Sequence, residues 1–175
     1  IEFDVDVIGW QVYGDGAGLS RAVLNVLDNA AKWSPPGARV GVRLTQTDPV
    51  HAELVVSDHG PGIPPQERRL VFERFFRSTS ARALPGSGLG LAIVKQVVLK
   101  HGGALRVEDT VPGGQPPGTS IYVLLPGRPL PDVAGHAAPG PCRRRPACPR
   151  CGRRHGRADR HRAPRLPRSQ QAVYR

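Results

Sequence analysis

The chain has 175 residues and a formal net charge of +11. That charge is unevenly placed: residues 1–128 hold 13 Lys and Arg against 12 Asp and Glu, whereas residues 129–175 hold 12 Arg against two Asp. No apolar run reaches the roughly 20 residues needed to cross a bilayer and no signal-peptide pattern is present, so we expect no membrane contact by this chain. The chain starts at Ile1 and contains no Met, which predicts a fragment of a longer protein.

The first half of the chain predicts strands around one long helix. Residues 1–15 alternate apolar and polar side chains, which predicts one or two strands. In residues 19–33 apolar side chains recur at steps of three and four, which predicts an amphipathic helix. Pro35 disfavours helical geometry in the residue before it and so ends that helix. Residues 38–47 and 51–58 are predicted to be two strands, paired across the short turn between them.

The second half predicts one more helix and two more strands. Residues 59–87 show little sustained periodicity. A helix is predicted over residues 89–101. It is expected to end there, because the pair of glycines that follows is a usual helix stop. Strands are predicted at residues 104–110 and 119–126. Together these elements predict a folded domain that ends at residue 126.

Residues 127–175 differ in composition from the rest of the chain. Pro, Arg, Ala, Gly and His dominate, and few side chains could build a core, which predicts a disordered basic tail. Cys148, Cys151 and His155 leave a zinc site open as an alternative, and the arginines leave nucleic-acid binding open. The irregular spacing of the Cys and His residues favours an unstructured extension, and we do not expect nucleic acid to be a partner.

Glycines occupy alternate positions just before the second predicted helix, at Gly86, Gly88 and Gly90. Small residues let backbone N–H groups approach an anion, and a helix N-terminus adds a positive dipole, so the pattern favours phosphate. The spacing does not fit the dinucleotide fingerprint, because Leu91 stands where that motif has its third glycine. It does not fit the P-loop either, because no Lys follows Gly90. An ordinary helix N-terminus is the alternative.

Polar side chains share one face of the first predicted helix. Asn25 and Asn29 lie four residues apart and Lys32 three further on, on a face distinct from the apolar stripe. Amide oxygens are hard ligands that suit Mg²⁺, and a lysine one turn later suits a phosphate oxygen. A solvated polar face is the alternative.

A carboxylate terminates the second central strand. Asp58 stands there, and Gly60 and Gly62 follow within the turn. Such a carboxylate can accept a hydrogen bond from an exocyclic amine such as that of adenine, and the glycines let the backbone pass close to a flat ring. We therefore expect the side chain to serve ligand recognition more than the core. An ordinary turn is the alternative.

The segment between this turn and the glycines, VFERFFRSTSARALP, combines phenylalanines with several arginines. Guanidinium groups pair with phosphate in a fork, so the segment suits a mobile lid over a triphosphate. The alternative is a basic surface loop whose phenylalanines belong to the core.

Five motifs occur in one order: NVLDNAAK, DHGPGIP, FERFFR, GSGLGL and GTS. They resemble the N, G1, F, G2 and G3 boxes of the ATP-binding catalytic domain of two-component sensor histidine kinases. The resemblance covers roughly residues 1–126 and is highly specific, because all five boxes lie at family-like separations. It implies an α+β fold, the two-layer Bergerat sandwich with a mixed sheet and helices packed on one face. The composition is typical of an actinobacterial source.

The resemblance implies a role for each matching residue. Asn29 would ligate Mg²⁺ with help from Asn25, Lys32 would contact phosphate, and Arg77 would reach the γ-phosphate of ATP. Asn25, Lys32 and Arg77 are therefore the expected catalytic residues. Asp58 would accept a hydrogen bond from the adenine amine. The same motifs imply further nucleotide contacts by Trp33, Gly60, Gly62, Ile63, Phe75, Gly86, Ser87, Gly88, Leu89, Gly90, Leu91 and Thr119.

Two features point to a phosphoryl donor rather than a hydrolase. Relatives of the gyrase and Hsp90 types carry a glutamate that activates water one helical turn before the metal-binding asparagine, and Asn25, which is no base at neutral pH, stands there instead. None of the six histidines is followed by Asp or Glu. The phosphoacceptor histidine is therefore expected on a separate dimerisation domain of the same parent protein.

The resemblance also implies the setting of the domain. The parent would be a membrane-anchored sensor with this domain in the cytoplasm, and it would pass phosphate to a response regulator. A serine kinase of the anti-sigma-factor type, which shares the ATP boxes, is the alternative, although the FERFFR box and the long lid favour the sensor kinase. A nucleic-acid-binding protein driven by the basic tail is a second alternative.

Overall fold

The computed structural model describes residues 1–78 and 87–131. Gly86 and the tail from residue 132 onward, about which the sequence makes predictions, lie outside the described residues. Within the described part the central feature is a five-stranded mixed sheet in the order β1-β3-β4-β6-β5. Its strands are β1 (Glu2–Val7), β3 (Arg39–Asp48), β4 (His51–Ser57), β5 (Ala104–Glu108) and β6 (Ser120–Pro126).

Pairing in this sheet is antiparallel except at one edge, and β6 lies between β4 and β5. β3 and β4 form an antiparallel hairpin, as the sequence predicts, and β6 pairs antiparallel with both β4 and β5. β1 instead lies parallel to β3, with Phe3 in register with Val40. A parallel pair needs a crossover connection, which the first helix provides.

Two helices form the second layer. α1 (Gly16–Trp33) starts before the predicted Leu19, because Asp15 caps it: Asp15 Oδ1 accepts a hydrogen bond from the Gly18 N–H at 3.0 Å. The glycines around Asp15 conceal this start in the sequence. α2 (Gly90–Lys100) matches the predicted second helix closely. Neither helix is long and apolar enough to span a bilayer within the described residues.

The core lies between the helices and one face of the sheet. Val26 and Ala30 of α1 and Val94 and Val98 of α2 are almost fully buried there. The sheet supplies alternate residues from its strands, as expected where one face is covered. These buried sheet residues are Val40, Val42, Leu54, Val56, Val107, Ile121, Val123 and Leu125. The two-layer α+β architecture predicted from the sequence is confirmed.

A compact unit runs from Ile1 to Pro131 and so extends past the predicted end of the domain at Pro126. A two-residue strand β7 (Arg128–Pro129) pairs antiparallel with β2 (Trp10–Gln11). The pairing is too short to produce a sequence pattern, which is why composition alone places residues 127–131 with the tail.

One histidine ties the start of α1 to the end of α2. His101 Nε2 accepts a hydrogen bond from the Asp15 N–H at 2.9 Å, and His101 Nδ1 donates to the Val97 carbonyl at 2.7 Å. The imidazole leaves no room for a side chain at Gly14, whose φ is +144°. This hydrogen bond therefore links the N-terminus of α1 to the C-terminus of α2.

We expect Gly103→Ala to destabilise the domain by about 2 kcal/mol. A Cβ at residue 103 would collide with the Leu124 carbonyl oxygen and lie 2.8 Å from Val98 Cγ1, so α2 would have to move away from β6. Gly16→Ala is the matched control, because no atom lies within 4 Å of a Cβ at that position. Urea unfolding followed by circular dichroism measures both variants, and equal stabilities would contradict the expectation.

Candidate functional site

A cavity of about 350 Å³ opens between α1, the start of α2 and the loops that follow β4. Its volume falls in the range of small-molecule sites. Twelve of the residues predicted for nucleotide binding line it: Asn25, Asn29, Lys32, Trp33, Gly62, Ile63, Arg77, Ser87, Gly88, Gly90, Leu91 and Thr119. Residues from all five motifs thus line one cavity.

The polar face of α1 forms one wall of the cavity. Asn25, Asn29 and Lys32 all line it, as their spacing predicts. The Asn25 Nδ2 group is buried without a hydrogen-bond partner among the described residues. The Asn25 amide faces the start of α2, where a Cβ at Gly90 would lie 3.7 Å from Asn25 Oδ1. An unpaired buried amide beside a cavity favours a polar ligand there.

Trp33 forms part of the wall at the end of α1. The Lys32 ammonium lies 5.7 Å from the centroid of the Trp33 ring, within the range of a cation–π contact. The indole therefore stands beside the cation predicted to contact phosphate.

Asp58 lies behind the cavity wall and is only 1% exposed. Its Oδ1 accepts hydrogen bonds from the Gly60 N–H at 2.8 Å and the Thr119 N–H at 3.0 Å. The carboxylate thus satisfies two buried donors, a structural role that the sequence does not reveal. The expectation that Asp58 serves recognition more than the core is therefore incomplete.

Burial also changes the acidity of this group. It raises the pKa of the Asp58 carboxyl above its ordinary value, although the Gly60 and Thr119 N–H groups and the neighbouring His59 oppose the rise. Both N–H groups bond to Oδ1, and Asp58 is not among the residues that line the cavity.

The glycines after Asp58 are required by close protein packing. A Cβ at Gly60 would lie 2.7 Å from the Trp33 carbonyl oxygen, and a Cβ at Gly62 would lie 2.5 Å from Pro117 Cγ. Gly62 also has a φ of +78°, which favours glycine. Gly62 lines the cavity, whereas Gly60 is buried behind it and does not.

The backbone at Phe75 and Phe76 contacts Gly88 beside the cavity. The Phe75 N–H donates to the Gly88 carbonyl at 3.1 Å, and a Cβ at Gly88 would lie 2.8 Å from the Phe76 carbonyl oxygen. Gly88 has a φ of +70°, so this close approach requires glycine. Arg77 and Ser87, the residues next along the chain, both line the cavity.

Two described residues predicted to bind nucleotide do not line the cavity in this region. Phe75 is 72% exposed and has a φ of +62°, unusual for a bulky residue. Its neighbour Phe76 lines the cavity instead, and the adjacent phenylalanines of FERFFR give no means of choosing between them. Leu89 is the N-cap residue of α2 and is also absent from the lining.

Sequence reasoning missed five lining residues: Asp28, Pro61, Val71, Phe76 and Ser78. Asp28 could have been found, because it lies three residues after Asn25 and four before Lys32 on the same helix. Val71 is the middle residue of a single 3₁₀ turn (Leu70–Phe72) inside a stretch without periodicity, so no pattern marks it.

Comparison with known proteins identifies the family of the chain. Residues 14–129 match the family described as histidine kinase-, DNA gyrase B- and HSP90-like ATPase. The chain is 84% identical over 141 residues to the signal transduction histidine-protein kinase/phosphatase MprB of Mycobacterium sp. (strain KMS), covering 81% of this chain and 27% of that protein. The chain thus spans about a quarter of the length of the curated relatives it matches.

Solved structures show the same likeness. A mycobacterial sensor histidine kinase MprB aligns with a TM-score of 0.72 and 77% identity, over 74% of this chain and 85% of that one. Full-length ShkA in complex with AMPPNP aligns with a TM-score of 0.61 and 27% identity, over 74% of this chain and 26% of that one. The chain therefore belongs to the histidine kinase-, DNA gyrase B- and HSP90-like ATPases, and it is an ATP-binding catalytic domain of the sensor histidine kinase type.

Proposed function

We propose that this chain binds Mg·ATP and donates the γ-phosphoryl group to a histidine on a separate domain of an actinobacterial sensor kinase. The observation that carries the proposal is the convergence of the sequence motifs on one cavity, with the polar face of α1 on one side and the start of α2 on the other. The 84% identity to a mycobacterial histidine kinase supports the type of acceptor and the source.

We assign the base of ATP to the end of the cavity next to Asp58. Asp58 Oδ2 is an acceptor without a described partner, and an adenine amine is a donor. Thr119 is held beside it by the bond from its N–H to Asp58 Oδ1. Ile63 and Leu91 supply apolar walls for a flat ring.

We assign the phosphates to the part of the cavity that carries cations and backbone donors. Lys32 and Arg77 line the cavity, together with Ser87 and the glycine-rich start of α2. Backbone N–H groups at a helix N-terminus favour an anion. The positive charges would also stabilise the charge that develops during transfer.

The amide side chains of Asn25 and Asn29 fit a bound Mg²⁺. Amide oxygens are hard ligands of the kind that Mg²⁺ accepts. The buried Nδ2 of Asn25, which has no protein partner among the described residues, is a donor that a phosphate oxygen could accept. We assign Asn29 as the protein ligand and Asn25 as its support. When bound, Mg²⁺ would neutralise part of the phosphate charge.

Transfer would then depend on positioning rather than on hydrolysis. Asn25 stands where a hydrolase of this family carries its glutamate, so water near the γ-phosphate has no base at that position. Asp28 is the carboxylate that lines the cavity, but its side chain is exposed to solvent. The acceptor domain and the response regulator belong to the longer parent, which we propose is a membrane-anchored sensor with this domain in the cytoplasm.

We expect the chain to phosphorylate a supplied acceptor domain but not itself. Incubation with γ-labelled ATP should leave no acid-labile label on the chain, because none of its histidines is followed by a carboxylate. Addition of the helical domain of the parent that carries the acceptor histidine should yield acid-labile phosphohistidine. Asn29→Ala should lower that yield at least tenfold at equal Mg²⁺ and ATP, since the metal would lose its protein ligand.

Asp28→Asn is the matched control for this experiment, because it alters a carboxylate of the same cavity without touching the assigned metal ligand. Transfer within about threefold of the wild type is expected for it, under 1 kcal/mol. Strong label on any residue of the isolated chain would contradict the donor role. Acid-stable phosphoserine on an added partner would instead support the anti-sigma-type alternative.

We expect Asp58→Asn to reverse the preference between ATP and ITP. The amide oxygen can keep the bonds from Gly60 and Thr119, while its NH₂ group replaces the acceptor Oδ2 with a donor. ATP affinity should fall by about tenfold or more, and ITP, which presents an acceptor at position 6, should gain relative to ATP. Calorimetric titration measures both, and an equal loss for both nucleotides would remove Asp58 from base recognition.

We expect ATP affinity to decline at a higher pH than an ordinary aspartate would dictate. Recognition of the amine requires the ionised carboxylate, and the pKa of Asp58 is raised in the folded protein, so affinity is full above that pKa and is lost as pH falls through it. Titrations from about pH 7 to about pH 4 measure the profile. The phosphates of ATP titrate as well, so the profile of Asp58→Asn is subtracted; identical profiles would contradict the expectation.

A further inference from the structure

Two loops form the end of the cavity to which we assign the base. One follows β4 and carries Ile63, and the other joins β5 to β6 and carries Thr119; both residues line the cavity. The loops touch where the Gly118 N–H donates to the Gly60 carbonyl at 3.1 Å. The wall beside the base therefore depends on how these two loops are held together.

Arg68 joins the same two loops a second time. Its Nε donates to the Ile63 carbonyl at 3.1 Å, and its Nη2 donates to Asp109 Oδ1 at 2.6 Å. Asp109 directly follows β5, and the Arg68 and Asp109 side chains are 25% and 27% exposed. Charge-assisted hydrogen bonds are among the stronger ones in proteins, and salt screens partly buried pairs less than exposed ones.

The residues that follow Ile63 explain why its carbonyl takes a side-chain donor. Pro64 and Pro65 come next, and proline has no N–H. The N–H groups after them are used elsewhere: Glu67 donates to the Pro64 carbonyl at 2.8 Å and Arg68 to the Pro65 carbonyl at 3.4 Å. The Arg68 side chain therefore reaches back five residues to hold the backbone of a cavity wall.

We propose that Arg68 is a positioning residue for the nucleotide base: it fixes Ile63 through its carbonyl and ties it to the β5–β6 loop through Asp109. Arg68 does not line the cavity, so it acts on the ligand through Ile63 and not by contact with phosphate. The inference rests on the binding of ATP with its base beside Asp58, as in the proposed function, but not on phosphoryl transfer.

Two other roles for Arg68 make different predictions. An ion pair that only stabilises the domain would change its unfolding but not the affinity of the folded protein for a nucleotide. A guanidinium that contacts phosphate would act on the triphosphate and not on the base. Ligands that share the base but differ in their phosphates separate these roles from positioning.

Calorimetric titration of Arg68→Ala tests the proposal. Affinity should fall by about fivefold for ATP and for ADP alike, because a displaced wall loosens the contact with the base that both contain. Affinity for inorganic tripolyphosphate, which has no base, should stay within about twofold. Arg68→Lys should lose less than Arg68→Ala, since an ammonium can keep one of the two bonds but not the fork. Arg68→Lys and Asp109→Asn carry the comparison if Arg68→Ala does not fold.

Arg106→Ala is the matched control. The Arg106 side chain is also 25% exposed and pairs with Glu53 at 3.4 Å. Its neighbour Val107 is buried in the core, so Arg106 lies on the face of the sheet opposite the helices and the cavity. Both variants should lower the midpoint of urea unfolding, but only Arg68→Ala should lower nucleotide affinity. Equal losses of affinity in the two variants overturn the proposal.

A reversed pair separates the hold on Ile63 from the ion pair. Arg68→Asp combined with Asp109→Arg restores opposite charges, but the carboxylate at position 68 has no N–H to donate to the Ile63 carbonyl. The double variant should recover stability relative to Arg68→Asp alone without recovering ATP affinity. Recovery of both would assign the effect to the ion pair and overturn the role of the Ile63 carbonyl.

Kinetics with a supplied acceptor domain give a further readout. Arg68→Ala should raise KM for ATP and leave kcat within about twofold, because the residue acts on binding of the base. ATP and ADP affinities within about twofold of the wild type overturn the proposal. A loss for ATP and tripolyphosphate that spares ADP assigns Arg68 to the phosphates and also overturns it.

The failure of this inference can be told from the failure of the proposed function. A wild-type chain that binds ATP but transfers no phosphate would contradict the proposed function, while the titrations of the Arg68 variants would still decide the positioning role. Normal transfer by a wild type whose Arg68 variants bind both nucleotides equally well would overturn this inference alone.

Discussion

The carboxylate of Asp58 links the end of β4 to the start of β6, behind the wall of the cavity. The Asp58 N–H donates to the Thr119 carbonyl at 2.8 Å, and the side chain accepts the Thr119 N–H in return. The same oxygen also holds the Gly60 N–H, so the course of the turn depends on it. Removal of the carboxylate would leave two buried donors unpaired, each at a cost of about 1–3 kcal/mol.

This arrangement explains why a charged group is kept in an unfavourable place. Burial raises the pKa of Asp58, which means that the folded protein holds the ionised form at an energetic cost. Two backbone donors on Oδ1 offset part of that cost and leave Oδ2 available. The buried carboxylate thus has two roles: it fixes the turn through Oδ1, and we propose that it recognises the ligand through Oδ2.

Much of the fold could be predicted from the sequence, because its elements have strong periodic patterns. Both helices and the β3–β4 hairpin follow from apolar spacing and turn residues. The parallel position of β1 could not, since its alternation is the same for either edge of a sheet and for either direction. The start of α1 was also hidden, because Gly14, Gly16 and Gly18 mimic a turn while Asp15 caps the helix.

The candidate site was predictable where the chemistry lies in side-chain spacing. Asn25, Asn29 and Lys32 line the cavity because helix geometry places them on one face. Contacts made through the backbone could not be predicted in this way. Residue 60 must be glycine because the Trp33 carbonyl oxygen leaves no room for a Cβ, and no sequence pattern predicts that the two residues are close. Phe75 is more exposed than Phe76, and Phe75 has a left-handed backbone conformation. Phenylalanine rarely adopts this conformation, so the sequence does not predict it.

The bond between the Phe75 N–H and the Gly88 carbonyl has a consequence for how such domains can diversify. It holds Phe75 and Gly88 together, so the scaffold fixes the distance between the two sides of the intervening stretch of chain. Closing a longer loop across a fixed junction is inexpensive: each doubling of its length costs only about 0.6 kcal/mol. The number of residues between Phe75 and Gly88 can therefore change between related proteins with little effect on folding, while the scaffold stays the same.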